Sequence, residues 1–222
     1  LNRQDLANFD IFESSINPEI TVNSSITFSN IITSKLLDKI KSQQNISLDS
    51  KNEVAQGLVT PNDTVNKKSL EKLGSSYKLN EGIFNLTNQE KEMLNFNENE
   101  LELIKPLYTS KQVDIYSANQ ENNLWVIYTD SKFKHVKNIE PYANIKKHLD
   151  RFQKVITTDN KPYGIHRARN ENFFKGEKIL SLRKCVGRPT FSYVDFDSYV
   201  NQAFYVIKTD RVSLKYLTLL LN

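Results

Sequence analysis

The sequence predicts an α+β fold, a mixed and curved β-sheet arrangement with several peripheral helices. Three observations lead there. Short segments dense in β-branched and aromatic residues recur along the chain, as strands require. Other stretches repeat their apolar residues at helical spacing. The two kinds follow one another without a regular βαβ alternation, which argues against a parallel α/β sheet. With 222 residues, 38% of them hydrophobic, the chain has the length of one or two domains.

Taken in order, Ser29 to Gln44 carries Ile32, Leu36, Leu37 and Ile40 on one helical face behind a Ser29 cap. Glu53 to Thr60 is apolar and β-branched and runs into the turn Pro61-Asn62-Asp63, the pattern of a strand entering a turn. Gly57 inside it predicts a bulge or a close backbone approach. Thr87 and Glu90 have capping-box spacing ahead of a helix, and Asn97 opens a second, acidic helix expected to end near Pro106. Asn123 to Asp130 (NLWVIYTD) is the clearest strand, with Trp125 in the core. From Glu140 to Ile156 the spacing predicts a helix with Pro141 in its first turn and Ile145, Leu149, Phe152 and Ile156 on one face. Strands are expected at Lys178–Arg183, Thr190–Val194 and Ala203–Lys208, and Ser213 caps a final helix over Leu214–Leu221.

The formal net charge is only +4, yet it is unevenly spread. Residues 1–130 contain 12 Lys/Arg and 18 Asp/Glu, whereas residues 131–222 contain 18 and 8. A C-terminal part at +10 points to a polyanionic partner, because a protein that tracks phosphates needs its cations concentrated. Cys185 is the only cysteine, so an internal disulfide or a cysteine-built zinc site is excluded and a reducing cytoplasm is expected. No apolar run approaches the roughly 20 residues of a membrane helix, and Leu1–Asp10 lacks the charged and apolar regions of a signal peptide, so secretion and membrane roles are not expected. Four N-x-S/T triplets, at Asn23, Asn45, Asn62 and Asn85, occur among 25 asparagines and are expected by chance.

The cations concentrate in KPYGIHRARNENFFKGEKILSLRKCVGRP, Lys161 to Pro189, where eight Lys/Arg face two carboxylates, Glu171 and Glu177. An ordered strand within it, Ile179 to Leu182, sets the charge on a scaffold. The candidate nucleic-acid contacts are Lys161, Tyr163, His166, Arg167, Arg169, Lys175, Lys178, Arg183, Lys184 and Arg188. The arginines suit guanine edges or phosphates, and the lysines suit phosphates as point charges. If His166–Arg169 is extended, Arg167 and Arg169 share a face; the competing reading pairs both with Glu171 and Glu177. Phe173 and Phe174 read as core.

No catalytic or metal site is expected. The chain lacks G-x-x-x-x-G-K-[ST], G-x-G-x-x-G and H-E-x-x-H. His135 and His148 have no partner at ligand spacing and read as surface or capping residues. Asp159 with Glu177-Lys178 matches a metal-nuclease pattern only loosely, and Cys185 has no assignable base.

Six segments in order, QGLVTPND (Gln56–Asp63), EGIFNLTNQE (Glu81–Glu90), ELIKPLYTSKQV (Glu102–Val113), NLWVIYTD, YANIKKHLDRF (Tyr142–Phe152) and KPYGIHRARNENFFKGEKIL (Lys161–Leu180), resemble the TaqI-like C-terminal specificity domain of adenine-specific DNA methyltransferases and fused restriction-modification enzymes. The resemblance covers about residues 35–222 and implies a DNA target-recognition domain there, with residues 1–34 a connector or the first strands. It implies double-stranded DNA and a methyltransferase domain of the same parent as partners. S-adenosylmethionine, and for a cleaving parent magnesium, belong on this reading to the full-length protein, because the family's glycine loop and N-P-P-Y-type motif do not occur here. The chain begins without methionine and stops inside an apparent helix, as expected of a C-terminal piece. An RNA or single-stranded DNA module, or a docking domain using the acidic Glu90–Glu102 region, are the alternatives.

Overall fold

A computed structural model of the chain describes residues 31–43 and 47–222. The chain divides into two units, Leu1–Ser47 and Leu48–Asn222. In the first unit lies helix α1 (Ile31–Ser42), whose Ile32, Leu36 and Ile40 are exposed. The expected Ser29 cap lies outside the described residues.

The second unit holds two mixed sheets. One has five strands in the order β1 (Val54–Gln56), β9 (Phe204–Ile207), β6 (Lys178–Leu182), β7 (Phe191–Val194), β4 (Tyr116–Ser117). It is antiparallel except where β4 meets β7. The other has four, ordered β2 (Asn85–Thr87), β5 (Leu124–Ile127), β3 (Ile104–Tyr108), β8 (Tyr199–Val200), and is antiparallel except between β3 and β8. Short helices surround them: α2 (Lys67–Leu73), α3 (Asn88–Met93), α4 (Glu98–Leu101), α5 (Ala143–Asp150) and α6 (Leu214–Leu221). The fold is α+β.

Alternation divides the five-stranded sheet into two faces. Val206, Leu180 and Val194 point into the main core with Phe84, Leu107, Val126, Phe152 and Tyr199, all nearly or fully buried. Ile207, Ile179, Val54 and Tyr193 lie on the other face with Leu214 and Leu217 of α6. Gln56 and Tyr205 pair with each other in the ladder on that second face, near the strand ends.

Both capping boxes form, Thr87 with Glu90 and Asn97 with Glu100. The helix after Asn97 stops at Leu101, and the expected end near Pro106 is corrected: Ile104–Tyr108 is a strand in the middle of a sheet. Pro106 fits because β8 pairs only with Leu107 and Tyr108, so proline's missing N–H falls outside that ladder. Helix α5 is shorter than its periodicity predicts. Ile145, Leu149, Phe152 and Ile156 are all buried as expected, but after Asp150 the backbone bonds tighten to Arg151 N–H to His148 O and Phe152 N–H to Leu149 O, a turn that ends the helix. Trp125 is half-buried, with its Nε1 donating to Asn88 Oδ1 at 2.7 Å and Lys91 Nζ 3.2 Å above its ring centroid. His148 is buried rather than a surface residue, its Nε2 lying 2.9 Å from the Ile83 carbonyl, and burial pulls its pKa down.

Gly57 meets its expectation of a close approach. A Cβ there would stand 2.0 Å from the Asn201 carbonyl oxygen. The contact brings the end of β1 against the link between β8 and β9, and it builds the site below.

Candidate nucleic-acid interface

Two segments far apart in sequence meet at one end of the five-stranded sheet. Val59 and Arg167 exchange both backbone hydrogen bonds, at 2.9 and 3.0 Å. That pins the His166–Arg169 segment beside the end of β1. Arg167 is exposed there. Arg169 adopts φ 65°, so the extended run stops before it and the two arginines do not alternate onto one face as expected. Instead Arg169 turns back, its Nε donating to the Gly57 carbonyl at 3.3 Å and its Nη2 to Gln56 Oε1 at 3.0 Å. Burial, then the like charge of Arg167, pull its pKa below the ordinary guanidinium value.

The chain of bonds continues across the sheet end. Gln56 Nε2 donates to the Gln202 carbonyl at 3.3 Å, and Arg183 Nη1 donates to the same oxygen at 2.9 Å. Arg169 fixes the acceptor end of the Gln56 amide and Gln202 its donor end, so the amide has one orientation that satisfies both. The Arg183 guanidinium also lies over the Tyr205 ring at 5.6 Å, a cation–π contact. Beyond it the β6–β7 connection carries Lys184 and Arg188, both exposed. Arg167, Arg169, Arg183, Lys184 and Arg188 are thereby gathered at this end together with Gln56, Asn201, Gln202 and Tyr205. The last four were missed in the sequence. Their signal was weak: a Gln before a buried glycine and an Asn-Gln pair between two strands, visible only once Gly57 is seen against Asn201.

The remaining candidates lie elsewhere. Lys178 is fully buried at the opposite end of β6, its Nζ donating to the Gly176 and Phe196 carbonyls at 2.6 and 2.7 Å. Burial lowers its pKa to about 8. Lys175 is at that same far end, 3.2 Å from Glu171. Four residue steps along β6 separate the two ends, roughly 13 Å. Tyr163 is interior, with its hydroxyl donating to Asp150 Oδ1 at 2.7 Å and its carbonyl accepting from Thr129. Lys161 is exposed on the turn before cis-Pro162, and His166 is half-buried. Phe173 and Phe174 are core, as expected. The expected alternative partners of the arginines are engaged elsewhere: Glu171 with Lys105 and Lys175, and Glu177 with the Tyr193 hydroxyl.

No family profile matches the sequence, and no curated protein matches it either. Among solved structures, the chain is similar to MmeI, a type IIL restriction-modification enzyme determined in complex with DNA, at 12% identity and a TM-score of 0.46. The alignment covers 76% of this chain and 20% of that one, so the chain spans about a fifth of that enzyme's length.

A cleft of about 680 Å³ opens between the start of β3, Tyr128 and Asp130 just after β5, and the residues leading into α5. Two of its lysines are paired, Lys105 with Glu171 at 3.4 Å and Lys132 with Asp130 at 3.7 Å. Its Tyr128 hydroxyl is bonded to the Ala168 and Arg169 carbonyls at 3.1 and 3.3 Å. Among the described residues no group of three or more His, Cys, Asp or Glu is placed to hold a metal ion, and no helix is long and apolar enough to cross a membrane.

Proposed function

We propose that this chain recognises duplex DNA in a sequence-specific way, as the specificity domain of an adenine-specific DNA methyltransferase or restriction-modification enzyme. The observation that carries the reading is the gathering of Arg167, Arg183, Lys184 and Arg188 with the Gln56, Asn201 and Gln202 amides at one sheet end. Cations there neutralise phosphates and supply affinity. Arginine and amide side chains are also the groups that pair with guanine and adenine edges in the major groove. The ordered resemblance of six segments supplies the finer assignment to adenine methylation. On this reading methyl transfer belongs to a separate domain, and the present residues hold the duplex in register while the target base leaves the stack. They lack the glycine loop and N-P-P-Y motif that would hold S-adenosylmethionine and the base. Calorimetry of this chain with the cofactor is expected to show no binding heat.

Fluorescence anisotropy with duplex DNA over a salt series tests the reading. Binding in the range of about 0.1–100 μM that falls steeply with salt is expected. Arg167→Ala should weaken every duplex and lower the salt slope by about one unit. Arg169→Ala should chiefly lower the melting temperature, because its guanidinium is spent on the Gly57 carbonyl and Gln56. Salt-independent affinity sinks the proposal. Tyr205, an exposed ring beneath Arg183, is the feature that favours unpaired bases, which stack on aromatic rings. Preferential displacement of duplex by single strands would establish that alternative.

A further inference from the structure

The connection between β6 and β7 is longer than a hairpin needs. Eight residues lie between Leu182 and Phe191, whereas loops of about two to five suffice to reverse a strand. Residues 183–189 are all exposed, and they contain three cations and no carboxylate. The loop is anchored at its base by Arg183, held on the Gln202 carbonyl and over Tyr205. Cys185 turns back, its Sγ 3.4 Å from the Leu182 carbonyl. Val186 is left outermost, 104% exposed, next to Gly187 at φ 84°, a left-handed turn position suited to glycine. A β-branched apolar side chain at such a tip contributes nothing to turn formation, for which Gly, Asn, Asp and Ser are suited. It packs against nothing in the folded chain.

We propose that this hairpin enters the major groove of duplex DNA and that Val186 reads thymine through its 5-methyl group. The proposal rests on the duplex-binding reading above and adds the reading element and a base. The major groove is wide enough for a two-stranded ribbon, and the thymine methyl is the apolar mark it displays. Lys184 and Arg188 flank the valine and meet phosphates along the groove, while Arg183 keeps the loop projecting from the sheet.

Alternating dA-dT and dA-dU duplexes of equal length provide the test, since they carry equal charge and differ in the methyl group. Wild type should bind the thymine duplex several-fold more tightly, on the order of fourfold for each methyl group buried. Val186→Ser should erase that preference, leaving affinity for the uracil duplex, the salt slope and the melting temperature unchanged. Replacing Arg183, Lys184 and Arg188 together by alanine should weaken both duplexes and flatten the salt dependence. Equal binding of the two duplexes by wild type, or a thymine preference that survives Val186→Ser, overturns the assignment while leaving duplex binding intact. Absence of salt-dependent binding to either duplex overturns both readings.

Discussion

Glu100 shows how much one buried carboxylate can organise. It closes its own capping box with Asn97 and reaches across the molecule to accept from the Asn144 and Ile145 backbone N–H groups at the start of α5, and from the Asn144 amide. Burial raises its pKa, but the bonds from Asn97, Asn144 and Ile145 outweigh that, and the net shift is downward from 4.5. A depressed carboxylate contributes stability that is present above its unfolded pKa and lost as pH falls through the folded value. Glu100→Gln should therefore destabilise the protein near neutral pH by about 1–3 kcal/mol, with the gap to wild type closing as the medium is acidified below pH 4.5; denaturant melts across the acid range read this. Lys178 is shifted in the same direction, but in a cation a lowered pKa means that the fold disfavours the charged form. Its folded pKa of about 8 lies below the ordinary 10.5, so between those values the unfolded chain holds more protons than the native one. Stability should accordingly rise from pH 8 to 10, by about 2 kcal/mol, and Lys178→Met should abolish that rise. A flat wild-type profile over this interval would show that burial does not lower the pKa of this lysine, which then stays charged in the fold as it does in the unfolded chain.

At the level of elements, the sheet end depends on how closely β1 passes the link between β8 and β9. Gly57→Ala would drive a methyl group into the Asn201 and Val200 carbonyl oxygens, which are backbone and cannot rotate away. A loss of at least about 3 kcal/mol is expected, measurable as a fall in melting temperature, with duplex binding weakened at temperatures where the protein remains folded. This approach was legible in the sequence because a glycine inside an apolar strand is costly unless backbone must come near. The strands over Asn123–Asp130 and Lys178–Arg183, the Thr87–Glu90 capping box and the helix start at Asn97 were legible for similar reasons, since each is fixed by residues close together in the chain. Strand β8, only Tyr199–Val200, was not. It exists through its pairing with Leu107 and Tyr108, a partner no local pattern names. The same limit governs the site. Lys178 looks like a surface cation in KGEKIL, and only the Phe196 carbonyl, eighteen residues on, makes its burial possible. Arg169 looks like the twin of Arg167, and only Gln56 reveals that one is anchored and the other presented.

For the whole molecule, the basic stretch separates into two ends of one sheet, one with exposed cations and one with cations held by carbonyls and a carboxylate. Arg167, Lys184 and Arg188 are exposed near the Gln202 end, whereas Lys175 and Lys178 support a far end that also carries Asp195, Asp197 and Glu171. Charge reversal should therefore discriminate by position. If the proposed interface is right, Arg188→Glu should weaken duplex binding about tenfold or more at low salt, by replacing a phosphate-facing cation with a repulsion, while Lys175→Glu should change it little; equal losses would indicate that DNA spans both ends.

The residues Gly57 and Leu58 make adjacent backbone bonds to different sheets. Gly57 N–H donates to the Phe204 carbonyl of β9 at 3.0 Å, and Leu58 N–H to the Val200 carbonyl of β8 at 2.9 Å. Two neighbouring amides are thus separate reporters on the opening of two sheets, each exchanging its hydrogen only when its own acceptor strand comes away. If the sheets open together, the two amides give one opening free energy at every denaturant concentration once each rate is divided by its intrinsic value. If the five-stranded sheet with its basic end opens first, Gly57 shows the lower opening free energy, and DNA bound at that end should raise it until the two converge.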